Sequence, residues 1–245
     1  IENIRAHTEI QSLDVSENVS RKEHAVKFAE KLSEILKTSP HITHLNLSGN
    51  FFTEESLLIF AHALSQNTTL LSLDCSNYSF SANTSASSQL PEDLSYFIFG
   101  IANSSIQKLK LENSIRKNAQ KESVLSLLHP QVKSSITQIN LSMNGLNDIH
   151  ARILADLLYE NSQITHLNIS SNYFSNEGFT RIVESITNND QSKLESLNIA
   201  KFGKNALNEE TAQAIAKLLQ SNIPLKELDL TYNYIADPSK TIFDA

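Results

Sequence analysis

Eight short stretches of this chain alternate apolar and polar residues with period two. Each is followed by a longer stretch in which the apolar residues recur with helical period. Clear copies read Ile42-Thr43-His44-Leu45-Asn46-Leu47-Ser48-Gly49-Asn50 and Ile164-Thr165-His166-Leu167-Asn168-Ile169-Ser170-Ser171-Asn172. The leading apolar residues are Ile10, Ile42, Leu70, Ile106, Ile136, Ile164, Leu194 and Leu225, spaced 28 to 36 residues apart. Period two predicts a short strand with one buried face. Counting on from Asn50, the apolar positions Leu57, Phe60, Ala61 and Leu64 have the spacing of one helix face. Ala151, Leu154, Ala155 and Leu158 repeat it after Asn144, and Phe179, Ile182, Val183 and Ile186 after Asn172. After Asn18 the set is Ala25, Phe28, Ala29 and Leu32. Ser20 with Glu23 has capping-box spacing for the first helix, and Pro91-Glu92-Asp93 reads as a helix start in the third unit.

One strand and one helix per unit predict an α/β solenoid. Paired strands stand about 4.8 Å apart, whereas helices with their side chains need roughly 10 Å. Equal angular steps therefore place the helices outside a curve and a parallel sheet on its inner wall. The array resembles the leucine-rich repeat family, in the longer ribonuclease-inhibitor-like class with a helix in each repeat. The resemblance covers the whole chain, 1–245, as one domain of eight repeats. It implies a horseshoe with strands on the concave face and helices on the convex face.

A column of Asn closes each strand: Asn18, Asn50, Asn144, Asn172 and Asn233. An amide there can satisfy turn backbone groups that would otherwise be buried unpaired. Tyr78, Ser114 and Phe202 depart from the column, and Asn205-Ala206-Leu207 restores it after three inserted residues. Asn77 and Asn113 stand one place early, which predicts irregular turns in units three and four. Ile4 stands where a preceding helix would finish, and the last unit stops near Phe243, partway through its helix. Both ends suggest an excerpt of a longer protein or one with abbreviated caps.

The charge narrows the partners. With 20 basic and 27 acidic residues the net charge is -7, which argues against nucleic acid, whose phosphates need a basic footprint. One cysteine excludes an internal disulfide framework and fits a reducing, cytosolic environment. No apolar run is long enough for a membrane span. No nucleophile elbow, phosphate-cradling loop or metalloprotease helix is present, so neither a catalytic residue nor a cofactor is assigned. His44 and His166 share a column four repeats apart, too far for one metal ion, and Cys75 at an apolar strand position reads as a small buried hydrophobe.

The spacer columns define the exposed wall. One reads Ser12, His44, Ser72, Lys108, Gln138, His166, Ser196, Glu227; the next reads Asp14, Asn46, Asp74, Lys110, Asn140, Asn168, Asn198, Asp229. A third runs Ser16, Ser48, Ser76, Glu112, Ser142, Ser170, Ala200, Thr231. These columns carry no aromatic anchor of the kind that dominates strong interfaces. The wall therefore faces a polar partner, leaves the anchors to the loop rim, or is merely solvated. Phe51, Tyr173 and Tyr234 directly follow the Asn column, with Tyr78 and Tyr232 nearby, and are the anchor candidates on one rim. Phe52, Phe80, Phe174 and Ile235 are assigned to the core. Lys108, Lys110, Arg116, Lys117 and Lys121 form a basic cluster, read as local neutralisation because Asp74 should stand beside Lys110. The insertion at 79–90 is either a recognition loop or a tolerated lengthening.

The functional expectation is a non-catalytic module that binds another protein through the concave face or the rim. In Asn, Ser and Ile content and in its irregular repeats the chain is similar to leucine-rich repeat effectors that intracellular bacterial pathogens inject into host cells. That similarity implies virulence, a host protein as partner and the host cytosol as location. The repeat class is also similar to that of certain GTPase-activating proteins, for which Arg116 would be the reaching residue. The ragged ends suggest a third reading, a sensing or autoinhibitory segment of a larger protein.

Overall fold

The computed structural model describes residues 9–77, 94–115, 117–201 and 207–234. It divides into two compact units, 1–127 with 132–136, and 128–131 with 137–245. In the first unit β1 (Ser12–Asp14), β2 (His44–Asn46), β3 (Ser72–Asp74) and β4 (Lys108–Lys110) lie parallel in sequence order. In the second, β5 (Gln138–Asn140), β6 (His166–Asn168), β7 (Ser196–Asn198) and β8 (Glu227–Asp229) do the same. Register is uniform within each unit: Leu13, Leu45, Leu73 and Leu109 stand side by side, as do Ile139, Leu167, Leu197 and Leu228.

Helices follow the strands on one side of each unit. They are α1 (Lys22–Thr38), α2 (Glu54–Gln66), α3 (Ser95–Ala102) and α4 (Asn118–Leu125), then α5 (Asp148–Glu160), α6 (Asn176–Thr187) and α7 (Glu209–Gln220). The fold class is the expected α/β alternation with parallel strands. The expected helix faces are the buried ones; only Phe28, among the residues counted from the four asparagines, is partly exposed. Phe28, Phe52, Phe60 and Phe97 form a chain of ring contacts through the first unit, with centroids 6.1, 6.3 and 6.3 Å apart. Gly100 lets α3 ride close on α2, since a Cβ there would lie 2.5 Å from the Ala61 carbonyl oxygen.

Helix starts use local chemistry. The Thr53 hydroxyl accepts from Ser56 N–H and the Ser56 hydroxyl accepts from Thr53 N–H, a reciprocal capping box. Asn208 caps α7 through Thr211 N–H at 2.9 Å. The Ser20–Glu23 box does not form. Arg21 is the residue before α1 and makes no side-chain cap, so Glu23 stands one place too early to close a box with Ser20. Pro91-Glu92-Asp93 lies outside the described residues.

The asparagine column does what its chemistry predicts. Asn50 is fully buried, and its carbonyl oxygen accepts from Asn18 and Val19 N–H at 2.9 and 2.8 Å. Its amide nitrogen donates to the Val15 and Leu47 carbonyls, both at 2.8 Å. Asn172 repeats this, accepting from Asn144 and Leu146 N–H and donating to the Leu141 and Ile169 carbonyls. Ser114 takes over part of the donor role: its Oγ lies 2.8 Å from both the Cys75 and the Glu112 carbonyl, with one hydrogen to give to either.

One expectation is corrected. At Asn77 and Asn113 the backbone takes the same conformation as in the other repeats; residues 78–93 and 116 lie outside the described residues. Both residues have positive φ, 55° and 50°, like Glu17, Gly49, Met143, Ser171, Lys201 and Tyr232 at the equivalent place of the other repeats. Asn tolerates the left-handed region better than most side chains. These two asparagines therefore serve the turn conformation and are not displaced members of the ladder.

Asn50→Ala leaves four backbone groups, two of them buried and two part-buried, without their partner. We expect a loss of roughly 3 kcal/mol in urea unfolding, with Asn50→Ser losing less because a hydroxyl, as at Ser114, still donates to a turn carbonyl. Equal losses for the two variants would show that packing of the side chain, and not its hydrogen bonds, holds the turn.

Candidate functional site

The face of each strand ladder turned away from the helices carries the spacer columns. In the middle column seven of the eight residues are Asp or Asn, and each accepts from the N–H two residues on. Asp14 holds Ser16, Asn46 holds Ser48 and Asp74 holds Ser76. Asn140, Asn168, Asn198 and Asp229 hold Ser142, Ser170, Ala200 and Thr231. The oxygen stops each strand and orients the wall, a local side-chain bond of the Asx type. Lys110 is the exception and reaches sideways, with Nζ 3.3 Å from Asp74 Oδ2, as the shared column predicts.

Two aspartates stay ionised to lower pH than an ordinary aspartate. Hydrogen bonds from the Ser16 hydroxyl and N–H, then from Asn46, hold the Asp14 carboxyl below its ordinary 3.8. Thr231 N–H and hydroxyl, then Asn198, do the same for Asp229.

His44 and His166 are placed alike. Each Nδ1 shares a hydrogen bond with the preceding threonine hydroxyl, Thr43 at 2.8 Å and Thr165 at 2.9 Å. Those hydroxyls lie in turn 3.3 and 3.1 Å from the Gln11 and Thr137 carbonyls. Glu227 is exposed and accepts from the Ser196 hydroxyl at 3.0 Å. Lys226 and Glu195 pair at 2.9 Å beside it. Among the described residues no three His, Cys, Asp or Glu side chains converge to hold a metal ion. Cys75 is buried at its apolar strand position.

The rim divides the aromatic candidates. Tyr173, Tyr232 and Tyr234 are 72%, 80% and 73% exposed. Phe51 is only 6% exposed and packs with Val19 and Ala25, which corrects its assignment to the rim. The position is the same as that of Tyr173, but a phenyl ring has no polar end to keep wet and turns into the core. Val19 and Ile115, at the same place in the first unit, are buried too. Phe52 and Phe174 lie in the core as expected. Tyr78, Phe80, Ile235 and the insertion at 79–90 fall outside the described residues.

The basic cluster is dispersed. Lys108 is exposed, Lys110 is paired with Asp74, and Lys121 is buried on α4, where burial lowers its pKa. Arg116 lies outside the described residues.

Sequence reasoning missed three features. Met143 adds a half-exposed apolar side chain to the rim of the second unit. Tyr96 and Phe99 are exposed on α3. A second asparagine ladder closes the helix ends: Asn67 donates to the Leu36 carbonyl and accepts from Leu70 N–H, and Asn161 donates to the Leu128 carbonyl and accepts from Ile164 N–H. Its signal was present, since Asn67 and Asn161 each precede the next strand-leading residue by three.

A family model described as Leucine Rich repeat matches residues 38–57 and 221–239. The chain is 29% identical over 203 residues to human NACHT, LRR and PYD domains-containing protein 13, covering 82% of this chain and 18% of that protein. It is 27% identical over 220 residues to Rho GTPase-activating protein gacW of Dictyostelium discoideum, covering 80% and 19%. The chain thus spans less than a fifth of the length of these curated relatives. An internalin (inlF) from Listeria monocytogenes is similar in fold, with a TM-score of 0.51 at 17% identity, over 98% of this chain and 66% of that one. No helix among the described residues is long and apolar enough to cross a membrane.

The two low-pKa aspartates define an acid sensitivity. Their hydrogen bonds add stability above the ordinary carboxylate pKa, and that contribution disappears as pH falls through the lowered folded values. The melting temperature should therefore fall more steeply as the pH drops below about 4 in the native chain than in an Asp14→Asn, Asp229→Asn variant. Asn140, Asn168 and Asn198 show that Asn keeps the turn bond in this column. Parallel curves would show that these carboxylates are held no more tightly in the folded chain than in the unfolded one.

Proposed function

Taking this chain as an array of leucine-rich repeats, we propose that it is a non-catalytic module that binds another protein. The contact surface is the exposed strand face together with the turn rim. The observation that carries this reading is the contrast along the post-asparagine column. The first unit buries Val19, Phe51 and Ile115 there, whereas the second holds Tyr173 and Tyr234 out in solvent. An exposed tyrosine ring offers large contact area at low ordering cost and is favoured as an interface anchor. The strand face beside it is held by backbone-directed hydrogen bonds, so little side-chain freedom remains to be lost on binding. The proposed contact set is His44, Lys108, Lys110, His166, Glu227, Asp229, Tyr173, Tyr232 and Tyr234.

Finer readings rest on less. A bacterial effector acting on a host protein is supported by composition alone. A sensing segment of a larger protein is supported by the multidomain name of the human relative and by the small share of it that this chain spans. Regulation of a GTPase is supported by the printed name of the Dictyostelium relative. In a single-turnover GTP hydrolysis assay with Rho-class GTPases, we expect the chain to leave the rate unchanged. Acceleration would replace the binding-module reading with the regulatory one.

The rim is tested by joint substitution of Tyr173→Ser, Tyr232→Asn and Tyr234→Ser. Asn is chosen at 232 because Asn77 and Asn113 adopt the same left-handed turn. The affinity for a polypeptide partner obtained by capture should fall at least about tenfold, with the unfolding midpoint held. An unchanged affinity would place the contact elsewhere on the chain.

A further inference from the structure

We infer that the surface formed by β8 and its turn binds an arginine-bearing segment of a protein partner, with Glu227 and Asp229 taking the guanidinium and Tyr232 and Tyr234 flanking it. This rests on the protein-binding reading above and specifies the chemistry of the partner.

Charge is the first support. Two carboxylates project from one strand face, at alternate positions 227 and 229. Among the described residues no Lys, Arg or His pairs with either of them. The neighbouring Glu195 is neutralised by Lys226 at 2.9 Å. Only neutral donors reach the other two. Ser196 Oγ donates to Glu227, and Asn198 Nδ2 and the Thr231 N–H and hydroxyl donate to Asp229. These bonds orient both carboxylates without cancelling their charge. A nearby cation is Lys201, whose N–H donates to the Thr231 carbonyl at 2.8 Å and which stands in the same turn column as Tyr232. Among the described residues, Lys201 against the two carboxylates leaves a negative balance beside β8.

Shape is the second support. Tyr232 and Tyr234 follow Asp229 by three and five residues and are the two most exposed large hydrophobic side chains of the described residues. Tyr232 is held at φ 59°, where Gly49, Asn77 and Asn113 stand in other repeats. A bulky ring in that conformation is strained. A planar guanidinium stacks on tyrosine faces and pairs bidentately with carboxylates, which a lysine ammonium does not match. The combination of two oriented carboxylates and two open rings therefore selects arginine over lysine and a cationic segment over an acidic one.

The chain supplies its own control substitutions. Gln138 and Asn140 of β5 occupy the columns of Glu227 and Asp229, so Glu227→Gln with Asp229→Asn removes the charge while keeping side chains that this wall already accepts. The probes are two Gly-Ser peptides, one carrying three arginines and the other three glutamates at the same positions. Amide NMR titration of the full chain reads both the site and the affinity. The arginine peptide should shift resonances in 196–201 and 225–234, the glutamate peptide should not, and the double variant should weaken the arginine peptide about fivefold or more. Raising NaCl from about 50 to about 300 mM should weaken it as well. Equal response to both peptides, or an affinity unchanged in the double variant, overturns the proposal. Self-association that the double variant abolishes would assign the surface to a second copy of the chain and also overturn it. A partner that loses affinity on tyrosine substitution but ignores Glu227→Gln and Asp229→Asn would leave the protein-binding reading standing and defeat this one.

Discussion

Among the described residues, Asn50, Asn172 and Asn233 each close the turn of the preceding repeat with a side-chain amide. Asn50 closes the turn of its own strand through the Leu47 carbonyl and that of the preceding repeat through Val15, Asn18 and Val19. A primary amide suits this place because it offers two donors and two acceptor sites in one plane. Four backbone groups where the chain leaves the sheet, two of them buried and two part-buried, are satisfied at once. An unpaired buried amide or carbonyl costs about 1–3 kcal/mol, so the column links neighbouring repeats as strongly as a good hydrophobic contact. The second ladder, through Asn67 and Asn161, performs the corresponding task where each helix returns to the next strand. The strands themselves are only three residues long. Their spacing is held by the amides at both ends and by the leucines beneath.

That constraint decides what the exposed face can be. Backbone register fixes one side chain per column per repeat, and an Asp or Asn oxygen then ties the middle column to its own turn. The wall is ordered before any ligand arrives. It is also regular, with like groups repeating from strand to strand about 4.8 Å apart. Regular spacing suits an extended polypeptide, which presents a group every few ångströms.

Much of the fold was legible because its rules are local. Leu45 and Leu47 announced a strand by alternation, and Leu57, Phe60, Ala61 and Leu64 announced a helix by spacing. Asp74 and Lys110 could be paired in advance because a shared column is a geometric statement. Where reading failed, the deciding factor lay in three dimensions. Phe51 and Tyr173 hold one column, yet the first turns inward over Val19 and Ala25 while the second stays in water. Lys121 was grouped with basic neighbours in sequence, although helical phase carries it into the interior of the first unit. Asn77 and Asn113 were read as slipped ladder residues because sequence alone does not show φ. The left-handed column becomes visible only when Gly49 and Tyr232 are seen to share it.

The left-handed column also explains why the rim differs between units. Its backbone points the side chain of residue 17, 49, 77 or 113 away from the core whatever that residue is, and in the first unit those residues are Glu, Gly, Asn and Asn. In the second they are Met143, Ser171, Lys201 and Tyr232, two of them large and apolar. A position that the fold cannot bury is one where apolar side chains add nothing to the core. Met143 and Tyr232 contribute little to folding there, and Tyr232 adds strain. Their apolar surface is available for contact with another molecule, which is why the second unit, and the β8 end of it, is the stronger candidate for binding.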